Sequence, residues 1–347
     1  MERKHIEVPS LTHEDFHKIL PPSMVYPGLN ALFGHLSPSY LKQIATKMNS
    51  YTWFRYVEQE SKSMIFKSMA TQLLYKMLKR KSHPNICSGN ENGHITHGPI
   101  VGLSSRGVNY KAVNEDGIGI FENDQNLRLV VCDGVGDCLV GEVASYVILE
   151  EFRKAPEKPM DQVFSDAVKV LVNLGDELIE EIPEFITFPN EVSQAAVTGV
   201  QIQGDFCEVC QVGDVLLYHL RGDDFRLLDQ NRSWLDLDQL NRLFADEQYL
   251  AQRHIISNAV GRNYDPYWNP ISLELKAGDL LILASDGLET LHPADIKRIV
   301  VKSPDPQEAL EELYHTAIEA NLKWNTVASP IYTKPDNISL VIYRHNP

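Results

Sequence analysis

Leu127-Arg-Leu-Val-Val-Cys-Asp-Gly134 is the stretch on which the reading of the whole chain turns. A short apolar run, β-branched in the middle and stopped by Asp-Gly, predicts a buried strand ending in a turn. Residues 141–153, which open on small side chains, predict a helix after it. A second run of the same kind, Leu280-Leu-Ile-Leu-Ala284, stops at Ser285-Asp286-Gly287. Working outward, residues 197–203, 206–212 and 215–220 predict three strands joined by the tight turns Gly204-Asp205 and Gly213-Asp214. A helix is predicted over 161–181, with Val163, Val168, Leu171, Leu174 and Leu178 inward. Two more are predicted from Pro293 to about Val301 and from Pro306 to about Leu322, and residues 338–343 close the chain as a strand. Strand runs alternating with helix pairs indicate an α+β fold, a sandwich of antiparallel sheets flanked by helices.

The chain has 347 residues, 43% of them hydrophobic and 23% charged, which is ordinary globular composition. Its net charge of −15 conceals an asymmetry: residues 1–90 carry 12 basic and 6 acidic side chains, leaving 20 and 41 for residues 91–347. An arm of +6 thus precedes a body of −21. The acidic body argues against general nucleic-acid binding, because phosphates are repelled before specific contacts form. Five cysteines without regular spacing do not suggest a disulfide framework. Cys207 and Cys210 spell C-x-x-C, but strand alternation sends them to opposite faces, and no second pair completes a zinc site. The opening Met-Glu-Arg-Lys-His-Ile-Glu is followed by no apolar core of signal-peptide type, and no run approaches the ~18 apolar residues that cross a bilayer. A reducing, cytoplasmic setting is expected.

Residues 1–81 read as an N-terminal helical extension. Ile65, Met69, Leu73 and Met77 recur every four residues beside Phe66, Ala70, Leu74 and Leu78, an apolar stripe at helical spacing. Lys62, Lys67, Lys76, Lys79 and Arg80 surround it, so these basic helices are candidates to contact a regulator, a membrane surface or the rest of the chain itself. Packing of the stripe with solvated lysines is the plainer alternative. Residues 82–98, with Pro84, Gly89, Gly93 and Gly98, read as a linker, and 99–347 as the main domain.

Surface aspartates in loops mean little, and a single Asp-Gly is far more often a turn than a site. Here, however, Asp133 and Asp286 end buried apolar strands, Asp116 follows Asn114-Glu115, and Asp336 opens the last strand. If those ends converge, the carboxylates crowd together, and crowded carboxylates persist only when protonated or bridged by cations. An all-oxygen set without paired His or Cys favours Mg²⁺ or Mn²⁺.

The order and spacing of these segments resemble the metal-dependent PP2C-type (PPM) serine/threonine phosphatases, in particular bacterial members. Gly107-Val-Asn-Tyr-Lys-Ala-Val-Asn-Glu-Asp116 is similar to the family's opening G…R-x-x-N-E-D. Val131-Cys-Asp-Gly-Val-Gly136 with Gly141-Glu-Val-Ala-Ser145 resembles D-G-x-G…G-E-x-A-S. Gln211-Val-Gly-Asp214 resembles V-G-D, Gly278-Asp279 with Leu283-Ala-Ser-Asp-Gly-Leu288 resembles G-D…S-D-G-L, and Asp336-Asn337-Ile-Ser resembles D-N-[IV]-[ST]. The resemblance implies a PP2C-like β-sandwich over about residues 99–347. It also implies that Asp133 bridges two Mg²⁺ or Mn²⁺ ions, with the Gly134 carbonyl, Asp286 and Asp336 completing the shell. Asp116 would hold a water on the metal, Glu115 would contribute less directly, and Asp214 would bind a third, weaker ion, unless it is merely a hairpin-turn residue. Such a site hydrolyses phosphoserine or phosphothreonine in a phosphoprotein substrate through a bridging water. Asp133 and Lys111 are the candidate catalytic residues.

Several positions depart from the family pattern. Lys111 replaces the phosphate-gripping Arg and loses its bidentate fork. Val135 stands where animal members have His, Asp137 replaces a Gly, Ala195-Ala196 replace Thr-Thr, and Val215-Leu216 replace Ser-Arg. These changes bear on substrate geometry more than on metal binding. They keep open an alternative, a catalytically weak or inactive regulatory binding protein on the same fold. Residues 222–260, rich in Asp and Leu, are the expected flap over the site.

Overall fold

The computed structural model describes residues 78–79, 81–88, 93–107, 113–136, 140–181, 193–229, 233–253, 256, 258–261, 270–303, 305–323 and 332–346. The apolar stripe up to Met77, almost all of the expected helical extension, and Lys111 and Asp137 lie outside the described residues.

In chain order the strands are β1 (Ile86–Ser88), β2 (Gly93–His97), β3 (Ile100–Ser105), β4 (Gly117–Glu122) and β5 (Leu127–Gly134). Helices α1 (Gly141–Lys154) and α2 (Met160–Glu181) follow, then β6 (Gln194–Gln203), β7 (Phe206–Val212), β8 (Leu216–Arg221), β9 (Asp224–Leu228) and β10 (Trp234–Asp236). Next come α3 (Leu237–Leu243), α4 (Glu247–Gln252), β11 (Val260–Gly261), β12 (Ile271–Glu274), β13 (Leu280–Ala284) and a 3₁₀ turn (Asp286–Thr290). Helices α5 (Pro293–Lys302) and α6 (Pro306–Leu322) and strand β14 (Ile338–Arg344) end the order. The first sheet runs β1-β4-β5-β6-β7-β12, with β11 against β6, and the second runs β10-β9-β8-β13-β14-β3-β2. All pairings are antiparallel.

Three apolar layers make the core. Leu129 and Val131 of β5 meet Leu281 and Leu283 of β13 between the sheets. Val130 and Cys132 face α1 and α2, whereas Leu280, Ile282 and Ala284 face α5 and α6. Antiparallel strands with one wet face alternate apolar and polar residues. β5 and β13 do not, because helices cover their outer faces. By the same parity Asp133 shares the face of Leu129 and Val131 and points between the sheets. Cys207 belongs to the layer between the sheets and Cys210 to the helix layer, on opposite faces of β7 as their spacing predicts.

Two stretches of the expected linker are strands. β1 pairs with β4 on the edge of the first sheet, and β2 pairs with β3 on the edge of the second. The sheets therefore begin before residue 99. β2 buries only Ile95 of Gly-His-Ile-Thr-His, the alternation of an edge strand with one wet side. Much of the expected flap is also fixed: β9 and β10 extend the second sheet, and Asp236 and Asp246 are helix caps, Asp236 in a capping box with Gln239. No helix among the described residues is long and apolar enough to cross a membrane.

Candidate metal centre

Strands β5 and β13 end at the same rim of the sandwich. The Asp286 backbone N–H donates to Asp133 Oδ2 at 3.3 Å across 153 residues of sequence, joining the end of β5 to the end of β13. Both carboxylates are buried. A Cβ on Gly287 would lie 1.9 Å from the Asn337 carbonyl oxygen, and one on Gly134 would lie 2.6 Å from that of Glu115. Only glycine fits either position, which is why each Asp is followed by Gly here rather than because a turn needs it.

The segment carrying Asp116 is held by buried polar groups. The Glu115 N–H donates to Asn337 Oδ1 at 2.9 Å, and the Glu115 carbonyl accepts from Gly134 N–H at 3.1 Å and from the Ser145 hydroxyl at 2.7 Å. Asn114 Nδ2 donates to Ser104 Oγ at 2.9 Å, which also accepts from the Ser339 hydroxyl at 2.9 Å. The Ser339 N–H in turn donates to Ser285 Oγ at 2.9 Å. Sequence reading assigned no role to Asn337, Ser104, Ser285 or Ser339. Asn337, Ser285 and Ser339 lie within quoted motifs and Ser104 just before one, but the partner of each lies in a different strand or loop.

Asp133 is pushed well above the usual carboxylate range, first by burial and then by the charges of Asp286, Asp116, Asp336 and Asp214. The structure thus brings the other four predicted aspartates within electrostatic reach of Asp133. Asp214, on the β7–β8 turn, is raised to about 7 by burial and then by Asp286, against the opposing effect of Lys334. Both of its carboxylate oxygens are buried and accept no hydrogen bond from another described residue. The neighbouring Val215 carbonyl takes the Thr198 hydroxyl and Gln211 Nε2, both at 2.8 Å. Ala196 stands opposite Asp133, and Ala195 opposite Gly134, in the β5–β6 register.

Four further residues border the cluster. Lys334 Nζ forms an ion pair with Asp286 Oδ2. Burial alone would lower the lysine pKa, but Asp286, Glu289 and Asp336 together hold it above the ordinary value. Glu289, buried on the 3₁₀ turn, is raised by burial and opposed by Lys334 and Arg253. Tyr249 donates its hydroxyl to Glu289 Oε1 at 3.3 Å, and Arg253 Nη1 donates to the Glu289 carbonyl at 3.1 Å. This is how α4 of the expected flap reaches the site.

Among the described residues no three His, Cys, Asp or Glu side chains stand in a ready-made metal-ligating arrangement. The donor chemistry still fits a hard divalent cation: carboxylate oxygens without paired His or Cys, one of them raised by burial and its neighbours' charge and another buried with no hydrogen bond to its oxygens from another described residue. A cation among them would relieve both conditions.

No family model matches the chain. A protein of Mycoplasma genitalium, provisionally named a protein phosphatase, is 24% identical over 238 residues, covering 63% of this chain and 89% of its own length. Among solved structures, the serine/threonine phosphatase of S. agalactiae is 21% identical, covering 71% of this chain and 99% of its own, with a TM-score of 0.50. PppA of Pseudomonas aeruginosa, a regulatory component of its T6SS, is 20% identical, with coverage of 73% and 100% and a TM-score of 0.51. The Mycobacterium tuberculosis phosphatase PstP is 20% identical, with coverage of 72% and 98% and a TM-score of 0.51. PstP has also been solved with two manganese ions. The chain therefore has the fold of the bacterial PP2C-type serine/threonine phosphatases.

Proposed function

We propose that this chain is a Mg²⁺- or Mn²⁺-dependent phosphatase that hydrolyses phosphoserine and phosphothreonine in a phosphoprotein. The observation that carries the reading is the junction of Asp133 and Asp286: two buried carboxylates from different sheets, linked through the Asp286 N–H at one rim, with three more aspartates in reach. Asp133, Asp286, Asp336 and the Gly134 carbonyl would hold two ions, and Asp214 a third. Bound there, the ions would supply Lewis acidity that makes water nucleophilic near neutral pH and offsets charge on the phosphoryl group.

The remaining roles belong to the chain's own residues. Asp116, fixed by the Asn337 and Ser104 bonds around it, would orient water by accepting its proton in a hydrogen bond. Lys111 would hold the phosphate as a point charge, with less geometric control than a guanidinium. Val135 offers no proton, so the departing serine or threonine oxygen would take one from solvent. Cys132 is not a candidate nucleophile. Its thiol faces the helix layer, and burial, followed by Asp116 and Asp133, pushes its pKa well up.

The test is hydrolysis of p-nitrophenyl phosphate and of a phosphothreonine peptide at pH 7–9 with Mn²⁺ or Mg²⁺. The expected result is metal-dependent turnover that falls by about a thousandfold or more in Asp133→Asn. Absence of turnover with either metal, from folded protein, would overturn the reading. The Lys334–Asp286 pair is the feature that favours the second reading, a binding protein of weak or no activity. That reading predicts phosphopeptide binding without turnover.

A further inference from the structure

Lys334 lies two residues before Asp336, on a stretch whose backbone is tied down on both sides. Its own N–H donates to Thr290 Oγ1 at 3.3 Å, and the Thr290 hydroxyl donates to Asn321 Oδ1 of α6 at 2.6 Å. Arg253 Nη2 holds the carbonyl of Tyr332. From this anchored backbone the side chain runs inward, is 16% exposed, and delivers its ammonium to the Asp286 carboxylate. The charges of Asp286, Glu289 and Asp336 all act on that ammonium, and Asp214 feels its charge. A surface lysine would have no reason to bury a long flexible stem beside four carboxylates; here the stem brings one positive charge to where the site is most crowded.

We propose that the Lys334 ammonium is a built-in counter-ion that holds the cation position at Asp286 and is displaced from it when a divalent ion binds. This rests on the reading of the rim as a divalent-metal site. A divalent ion bound through Asp286 Oδ2 would take the position the ammonium holds, because a hard cation binds carboxylate oxygen directly and two positive charges on one oxygen repel. The lysine competes at the high effective concentration of a tethered group, whereas the metal brings twice the charge and several ligands. Metal affinity at this position is thereby set by the chain itself, and the metal-free protein keeps its carboxylates compensated.

The experiment is calorimetric titration of the full chain with Mn²⁺, comparing wild type with Lys334→Met, which keeps the stem and removes the charge, and Lys334→Arg, which keeps the charge. Lys334→Met is expected to bind Mn²⁺ about tenfold more tightly or better, and Lys334→Arg no more tightly than wild type. Without metal, Lys334→Met is expected to melt at a lower temperature than wild type, and with saturating Mn²⁺ to match it. A second readout uses the wild type alone: acylation of Lys334 by an amine reagent, followed by peptide mass spectrometry, should be slow without Mn²⁺ and faster with it. This arm decides the question if Lys334→Met does not fold. Equal Mn²⁺ affinity in wild type and folded Lys334→Met overturns the counter-ion proposal and leaves the phosphatase reading standing, as does acylation unchanged by Mn²⁺ that demonstrably binds. Absence of Mn²⁺ binding in every folded variant overturns both.

Discussion

Strand β13 has a buried aspartate just outside each end, and the two could hardly be treated more differently. Asp279, before Leu280, accepts hydrogen bonds from His219 Nε2 at 3.0 Å, Arg221 Nη2 at 2.6 Å, Arg221 Nε at 3.0 Å and the Lys276 N–H at 3.0 Å. Burial alone would raise its pKa, yet the bonds from Arg221, Lys276 and His219 outweigh it and bring the carboxyl down to about 2. Asp286, beyond Ala284, pairs with Lys334 but lies among carboxylates: Asp133 and Asp214 are both raised, first by burial and then by the charge of Asp286. At one end of the strand a single carboxylate is met by several donors; at the other a single lysine is the counter-charge among several carboxylates. Both are buried aspartates, so it is the neighbours that separate a structural aspartate from a candidate metal ligand. Gly278-Asp279 and Ser285-Asp286-Gly287 belong to one motif in sequence, and the structure divides them between scaffold and candidate site.

The largest effect should come from swapping the same chemical change between the two ends. Asp133→Asn at the crowded rim is expected to abolish metal-dependent hydrolysis while leaving the metal-free fold intact or more stable, since it removes a charge the site repels. Asp279→Asn is expected to do the reverse, with turnover per folded molecule close to wild type. Its cost in stability, read from urea unfolding without metal, is about 2 kcal/mol, because Arg221 and His219 lose a charged partner and Arg221 is partly exposed to water. Equal losses of activity at both ends would break the distinction.

How much of this could be read in advance depended on the range of the interaction. Strands β5 and β13 were legible because both faces are buried and the apolar run is unbroken, and α6 because Pro306 at its first turn marks the start. The aspartates were legible because a charge at the end of a buried strand is out of place unless something compensates it. β1 and β2 were not, since three residues and a polar edge strand give too little periodicity to stand out from a linker. Nor were Lys334, Glu289 and Arg253. A lysine between Thr333 and Pro335 looks solvated in sequence, and its contact with Asp286 spans 48 residues; Arg253 meets Glu289 across 36. Local pattern carries the scaffold, but the compensating charges of the site arrive through long side chains whose direction only packing decides.

The smaller test of the contrast is the pH dependence of stability without metal, where the two ends should act with opposite sign. A free aspartate titrates near about 3.9. Asp214 is raised to about 7 in the folded chain, so its contribution is fully present below about pH 4 and is lost as pH rises through about 7. Asp133, displaced the same way, adds to that loss. Asp279 is lowered to about 2, so its contribution is present above about pH 4 and is lost as pH falls through about 2. Melting temperature in chelator should therefore decline on both sides of a maximum. Asp214→Asn should flatten the alkaline limb and spare the acid one, Asp279→Asn should do the opposite, and saturating Mn²⁺ should suppress only the alkaline limb. An alkaline limb untouched by both Asp214→Asn and Mn²⁺ would mean that the carboxylates after β13 are as well compensated as the one before it.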